Sequence, residues 1–189
     1  MSKQPRVPYI TREEWTDATL DVFAGMERSP EDQERARKEG SKMNIINVLA
    51  HNPRIVVPYL DMNKVLFQLA ISMREREIAV LRLAHLCDSE YEWFQHVAIG
   101  KRAGLDDADI EAIQVGSPLA SWSDRDAVVM AVVDELQSTE TVSDELWQRL
   151  AEHFDREQIF ELLFVIGAYK MTAWILNPLK VPPEDEIQH

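Results

Sequence analysis

The chain has little cysteine and little positive charge. Its 189 residues include a single cysteine, Cys87, so an intramolecular disulfide framework is excluded. That usage suits a reducing compartment, and the expected localisation is cytoplasmic. Acidic residues outnumber basic ones by 33 to 20, giving a formal net charge of −13. Arg35, Arg37 and Lys38 alternate with glutamates instead of forming a basic cluster, so neither nucleic acid nor an anionic membrane surface is expected as a partner.

Long hydrophobic runs are also lacking. The longest uncharged apolar run, 162–169, is far shorter than the roughly 18 residues of a membrane span. The first 15 residues contain no apolar core of signal-peptide length. A soluble protein without membrane association is therefore the expectation.

The apolar residues that are present follow helical spacing, and no stretch alternates as a half-buried strand does. An all-α fold is predicted, as a single domain over 1–189 with an N-terminal helical extension at 9–40. The most plausible seam, 116–121, is too short for a flexible linker. Apolar helices at 74–86, 89–103 and 155–176 should form the centre.

Local signals place the ends of these helices. Thr11 and Glu14 have capping-box spacing and predict a first helix that extends to about Met26. Ser89 and Glu92 have the same spacing after a break at 88–89. The 155–176 helix should end at 177–178, where proline follows asparagine.

The strongest chemical signal is Glu92 with His96, four residues apart on one predicted helix. That spacing places both side chains on one face, where a carboxylate can orient an imidazole and raise its pKa. The alternative is an intrahelical ion pair without further function, and the capping-box spacing of Glu92 supports it. Glu77 is either a buried proton carrier or a residue that favours the positive end of the helix dipole.

The other candidates are weaker. Glu77 shares a helix stripe with His85, which is a secondary site candidate. Ser89, Tyr91 and Trp93 could line a substrate pocket, although aromatic side chains more often pack in a core or at a subunit contact. A lone Cys87 is better interpreted as a packed, inert thiol.

No metal and no cofactor are expected. The spacing of the histidines and carboxylates does not require a metal site. The one Glu-x-x-His spacing, Glu186 to His189, lies in the polar tail.

These residues carry a family resemblance. Glu77, then Ser89-x-x-Glu92-x-x-x-His96, then Gly104-Leu105 resembles the carboxymuconolactone decarboxylase and alkylhydroperoxidase-D (AhpD) family. The hydroperoxidase branch of that family has Cys-x-x-Cys where this chain has Ser89 and Glu92, so dithiol chemistry is close to excluded. The decarboxylase branch lacks the cysteines and has a Glu four residues before the His. The resemblance extends over most of residues 40–185, including the closing helix and tail.

The resemblance implies an AhpD-like helical fold and a homo-oligomer, a trimer or a hexamer. It also implies a cofactor-free lyase or isomerase acting on a small carboxylated or lactone-like metabolite. In that interpretation His96 donates the proton, and Glu92 orients the His96 ring and restores its proton. Glu77 holds a proton or a substrate hydroxyl. Two alternatives stay open: a peroxidase relative that works through Cys87 alone, and a non-catalytic oligomeric binding protein.

Overall fold

A computed structural model of the chain describes residues 5–25, 29–116, 119 and 122–184. Over these residues it is helical, with no strand, and the predicted all-α class is confirmed. After a short 3₁₀ turn at Arg12–Glu14, the helices of the described part are α1 (Asp17–Ala24), α2 (Pro30–Glu39), α3 (Asn44–Leu49), α4 (Pro53–Leu66), α5 (Met73–Leu86), α6 (Glu90–Arg102), α7 (Asp107–Val115), α8 (Asp124–Thr139), α9 (Asp144–His153) and α10 (Arg156–Leu179).

Most helices begin where a short polar side chain can accept a hydrogen bond from the first turn. Serine side chains do so before α2, α5, α8 and α9, at Ser29, Ser72, Ser123 and Ser143. Each side chain satisfies an amide that has no partner inside the helix. The serines therefore determine the helix starts locally.

Two predicted helix ends were wrong. The Thr11–Glu14 capping box opens only the 3₁₀ turn, because Trp15 is extended and Thr16 caps α1 separately. The predicted end at Met26 lies outside the described residues. At the other end of the chain, α10 continues through Pro178 to Leu179, since a proline so near the terminus interrupts only the last turn.

The chain forms two compact units, one from 1–68 with 178–189 and the other from 69–177. In the first, Trp15 and Phe23 pack edge to face with ring centroids 5.9 Å apart. Its C-terminal segment is held by the buried Glu184, which accepts a hydrogen bond of 2.6 Å from the Asn44 amide. That one domain includes both units stays a prediction.

The second unit is built around α5, which packs closely against α6 and α8. Residues 75–84 of α5 are all buried, charged side chains included. The close approach of α6 depends on Gly100. A Cβ atom there would lie 2.9 Å from Leu105 Cδ1 and 3.2 Å from Leu81 Cδ1.

Helix α10 has one buried face and one exposed apolar face. The buried face contains Leu162, Val165, Tyr169 and Ala173, whereas Phe160 and Trp174 are 77% and 67% exposed. The predicted central position of this helix therefore holds for one face. By length and hydropathy α10 could cross a membrane, but half of its apolar stretch is buried inside the molecule. The core helix of a water-soluble protein meets the same criterion.

Candidate active site

The candidate site begins at the turn between α5 and α6. Asp88 is left-handed (φ 49°), the Ser89 amide donates to the Ala84 carbonyl (2.9 Å), and the Asp88 amide donates to the His85 carbonyl (3.1 Å). These two bonds make a Schellman ending, for which glycine is the usual left-handed residue. The turn stops α5, confirms the predicted break, and places Ser89 directly before α6.

His96 on α6 is paired with Glu77 on α5. Its Nδ1 lies 2.7 Å from Glu77 Oε2, and both side chains are buried. The predicted pairing of His96 with Glu92 is absent, although the two lie one helical turn apart. The interpretation of Glu77 as a residue that only favours the helix dipole is also wrong, because Glu77 is 0% exposed and binds two side chains.

The second partner of Glu77 is its neighbour Arg76. The Arg76 guanidinium donates to Glu77 Oε1 and, through its other terminal nitrogen, to the Tyr169 hydroxyl. The Tyr169 ring stands edge to face against the His96 ring, with centroids 4.8 Å apart. Arg76, Glu77, His96 and Tyr169 thus form a closed buried cluster, called the dyad cluster below.

The dyad cluster determines which nitrogen of His96 can act as a base. A carboxyl oxygen accepts from Nδ1, so Nδ1 carries the hydrogen and Nε2 carries the lone pair of the neutral ring. Nε2 has no hydrogen-bond partner within the described ranges. The arrangement is that of a carboxylate that orients a histidine for proton transfer.

Ser89 and Glu92 form a second, different group on α6, called the orphan pair below. Ser89 Oγ and both Glu92 carboxyl oxygens are buried and make no hydrogen bond of standard geometry in the described part of the chain. Ser89 therefore does not cap α6 with its side chain, and the capping-box interpretation is wrong. Burial raises the pKa of Glu92 to about 8, against a smaller lowering by the neighbouring Ser89 hydroxyl.

The predicted aromatic and histidine pocket residues do not join these groups. His85 is exposed at the end of α5 and contacts the half-buried Trp93 edge to face, with ring centroids 6.1 Å apart. Tyr91 is buried in the core. Their assignment as substrate-binding residues stays a prediction.

Cys87 is half-buried at the C-terminal end of α5. Gln137 Nε2 lies 3.3 Å and Lys170 Nζ 3.5 Å from its sulfur. Burial raises the pKa of the Cys87 thiol; Lys170 opposes this rise and Glu92 adds to it. A raised pKa leaves less of the thiol as the nucleophilic thiolate. That Cys87 is inert stays a prediction.

Sequence reasoning missed Arg76 as a partner of Glu77 and Tyr169 as a member of the dyad cluster. An arginine inside an otherwise apolar helix could have signalled the first, because such a charge needs a buried partner. Tyr169 lies on α10, 93 positions after Arg76, so no local sequence pattern indicates that the two are in contact. Among the described residues, no group of three or more His, Cys, Asp or Glu could hold a metal ion.

Solved structures with this fold are known. An uncharacterized peroxidase-related protein from Ralstonia eutropha JMP134, with an alkylhydroperoxidase AhpD core, is 17% identical with a TM-score of 0.79, covering 96% of this chain and 93% of that one. A peroxidase-related protein from Silicibacter sp. TM1040 is 16% identical with a TM-score of 0.69, covering 90% and 94%.

The debrominase Bmp8 in complex with 2,3,4-tribromopyrrole is 14% identical with a TM-score of 0.74, covering 98% of this chain and 92% of that one. No protein-family model and no curated sequence matches the chain. At these identities the likeness establishes the fold. The chain has the AhpD-like all-α fold, and the resemblance drawn from Glu77, Ser89, Glu92 and His96 is confirmed at that level.

Proposed function

We propose that this protein is a cofactor-free acid–base enzyme, a lyase or isomerase, and a cysteine-free member of the carboxymuconolactone decarboxylase and AhpD-like family. The observation that carries the proposal is the buried hydrogen bond between Glu77 and His96, one helical turn from the buried carboxyl group of Glu92. Two titratable groups in such different surroundings can serve as base and acid at one pH.

His96 is the proton carrier in this proposal. Glu77 holds the ring by Nδ1 and Arg76 holds Glu77, so Nε2 has a fixed orientation. This assignment differs from the one that the sequence suggested, in which Glu92 oriented the ring. Glu77 and Arg76 are therefore positioning residues, and His96 is the catalytic residue.

Glu92 is the acid. With a pKa of about 8, its carboxyl group is mostly protonated at neutral pH and can donate a hydrogen bond. In a decarboxylation, the bond to the carboxylate carbon breaks, carbon dioxide leaves, and the electron pair passes into the conjugated system as a dienolate. Glu92 and the Ser89 hydroxyl would donate hydrogen bonds to the dienolate oxygen. His96, protonated at Nε2 by solvent before the reaction, would donate that proton to carbon and would be reprotonated by solvent afterwards.

The residues at the cysteine positions support this reaction class over dithiol chemistry. Ser89 and Glu92 stand there, and Cys87 is the sole cysteine of the chain. A disulfide intermediate within one chain is thus impossible. Bmp8 is solved with a small flat heteroaromatic ligand. That ligand supports a small unsaturated substrate here, carboxylated or lactone-like.

A proton-exchange screen tests the proposal without knowing the substrate. The purified protein is incubated in D₂O with unsaturated lactones, 2-oxo acids and aromatic carboxylates, and deuterium incorporation and carbon dioxide release are followed by NMR. At least one class should exchange, and His96→Ala should slow the exchange by about a hundredfold or more. A loss below tenfold would refute the role of His96, and binding without exchange would favour a binding protein.

The second candidate is peroxide reduction through Cys87, which the contact with the Lys170 ammonium favours. One turnover would convert the thiolate to a sulfenic acid and the peroxide to an alcohol or water. Two external thiols would then complete the cycle: the first forms a mixed disulfide and releases water, and the second frees Cys87 and leaves as the disulfide of the two. Mass spectrometry after peroxide treatment tests it. An unmodified Cys87 removes this candidate.

We also propose a homo-oligomer, either a trimer or a hexamer, in the cytoplasm. The exposed aromatic side chains of Phe160 and Phe164 on α10 support association between copies. Light scattering coupled to size exclusion measures the assembly. Phe164→Glu should shift it toward the monomer, and a monomeric wild-type protein would contradict the proposal.

A further inference from the structure

An open cleft of about 510 Å³ lies between α8 and α10. Its walls are mainly apolar, and its lining residues are Leu136, Gln137, Glu140, Leu163, Ile166, Gly167, Lys170 and Trp174. The volume is that of a site for a small organic molecule, about 300–1,000 Å³. The feature that distinguishes this cleft is its single cationic side chain, Lys170.

Lys170 has neutral partners only, within the ranges that the structure describes. Its Nζ donates to Gln137 Oε1 at 2.6 Å, approaches the Cys87 sulfur at 3.5 Å, and lies 5.0 Å from the centroid of the Trp174 ring. Glu140, the one acidic residue of the lining, is exposed, and no ion pair joins it to Lys170 in the described part of the chain.

Lys170 is half-buried and makes no ion pair in the described part of the chain, which distinguishes it from the exposed lysines. Acidic residues outnumber basic ones by 33 to 20, and other lysines, such as Lys64 and Lys101, form ion pairs with aspartates. A half-buried positive charge among apolar walls gains most from an anion that brings apolar surface with it. The indole face of Trp174 offers that surface a stacking partner.

We infer that this cleft binds a small aromatic carboxylate, whose carboxylate group pairs with Lys170 and whose ring packs between Trp174 and the aliphatic walls. Gln137 positions the ammonium group, because its carbonyl oxygen accepts one of the three N–H bonds. Two N–H directions stay available to the ligand and to the Cys87 sulfur.

The inference does not depend on the proposed acid–base function. Lys170 belongs to neither the dyad cluster nor the orphan pair, and binding needs no turnover. His96→Ala should slow proton exchange by about a hundredfold or more and leave the binding of the carboxylate unchanged. The failure of one proposal is therefore distinguishable from the failure of the other.

Calorimetry with benzoate, and with benzamide as its neutral analogue, tests the inference on the full chain. Benzoate should bind more tightly than benzamide, and Lys170→Met should weaken benzoate binding about tenfold or more while benzamide is unaffected. Lys101→Met, which removes an exposed lysine outside the cleft, is the matched control and should change neither. Trp174→Ala, at an exposed position that tolerates truncation, should weaken both ligands.

Three results would overturn the inference. Equal affinities for benzoate and benzamide would remove the role of charge. Unchanged benzoate binding in Lys170→Met would show that benzoate binds outside this cleft. An affinity that rises when the protein is diluted would show that a second copy of the chain occupies the cleft.

Discussion

Two buried glutamates of the second unit differ in the donors around them. Glu77 is 0% exposed and Glu92 is 3% exposed, so their burial is nearly the same. Glu77 accepts from Arg76 and His96, whereas neither oxygen of Glu92 accepts a hydrogen bond of standard geometry from the described residues. Burial alone therefore does not determine the chemistry of a carboxyl group, and its donors decide whether it holds another residue or carries a proton.

The difference assigns separate tasks to the two groups. In the dyad cluster both oxygens of Glu77 accept hydrogen bonds, one from Arg76 and one from His96, which suits the orientation of a base. The orphan pair has donor and acceptor capacity left over, and a buried polar atom without a partner is costly unless a ligand or water completes it. Substitutions in each group, and in the packing and the turn beside them, test this division of tasks.

Removing the negative charge of the dyad cluster should have the largest effect. Glu77→Gln leaves the buried Arg76 without a counter-charge and should lower the free energy of unfolding by roughly 3–5 kcal/mol. Urea denaturation measures the loss. The control is Asp107→Asn, which breaks an exposed ion pair with Lys101 and should cost less than about 1 kcal/mol. Equal losses in the two variants would contradict the structural importance of Glu77.

Replacing Glu92 of the orphan pair by a neutral residue should stabilise the protein, and the gain should increase as pH rises. The pKa of Glu92 is raised in the folded state, so the unfolded chain ionises first and wild-type stability falls between about pH 4.5 and 8. Glu92→Gln removes this penalty and should gain about 3 kcal/mol at pH 7, and little at pH 4.

Urea denaturation of both proteins from pH 4 to 8 measures the difference. Glu111→Gln, at an exposed position on α7, is the matched control and should show a much smaller pH-dependent gain. A gain for Glu92→Gln that does not change with pH would mean that Glu92 is ionised throughout.

The packing that brings Glu77 to His96 should respond to a single methyl group. The Cβ of Gly100→Ala would press on Leu105 and Leu81 and lie 3.7 Å from Glu77 Cβ, at a cost of roughly 1–3 kcal/mol. Gly167→Ala is the control, since no atom lies within 4 Å of its added methyl and helix propensity favours alanine. Thermal unfolding of both variants should move in opposite directions, and a shift in the same direction would contradict the role of Gly100.

The smallest effect is expected at the turn between α5 and α6. Asp88→Gly should stabilise by about 1 kcal/mol or less, because glycine adopts the left-handed conformation without a Cβ penalty. Asp88→Ala keeps the Cβ atom and loses the short polar side chain that lets aspartate adopt this conformation, so it should destabilise slightly. Chemical denaturation of both variants measures the two effects, and an alanine variant more stable than the glycine variant would contradict the role of the left-handed conformation.

The helices were predictable because their signals are local. Serine caps act within one turn, and the side chains of Ser29, Ser123 and Ser143 cap the starts of α2, α8 and α9 in this way. The failed prediction near the N-terminus arose where two local signals compete. Thr11 and Thr16 both offer caps, and the chain uses each for a separate element.

Three residues of the candidate site, Glu77, Glu92 and His96, were named from the sequence, but their pairing was not. Residues four apart on a helix lie on one face, and this spacing is what related Glu92 to His96 in the sequence. The observed partner of His96, Glu77, is 19 positions away and depends on how closely α5 and α6 pack at Gly100. Spacing within a helix contains no information on that approach. The burial of Glu92 was unpredictable for the same reason, because it depends on how the surrounding helices pack.

The measurement that tests the account most directly is the titration of Glu92 by ¹³C NMR of the glutamate side-chain carboxyl carbons, with Glu92→Gln to assign the signal. The titration midpoint of Glu92 should lie at about 8, because its carboxyl group is buried and accepts no hydrogen bond of standard geometry from the described residues. A midpoint near the ordinary glutamate value of about 4.3 would contradict it. Glu92 would then be ionised at neutral pH, and the division between an orienting and a proton-carrying carboxyl group would fail.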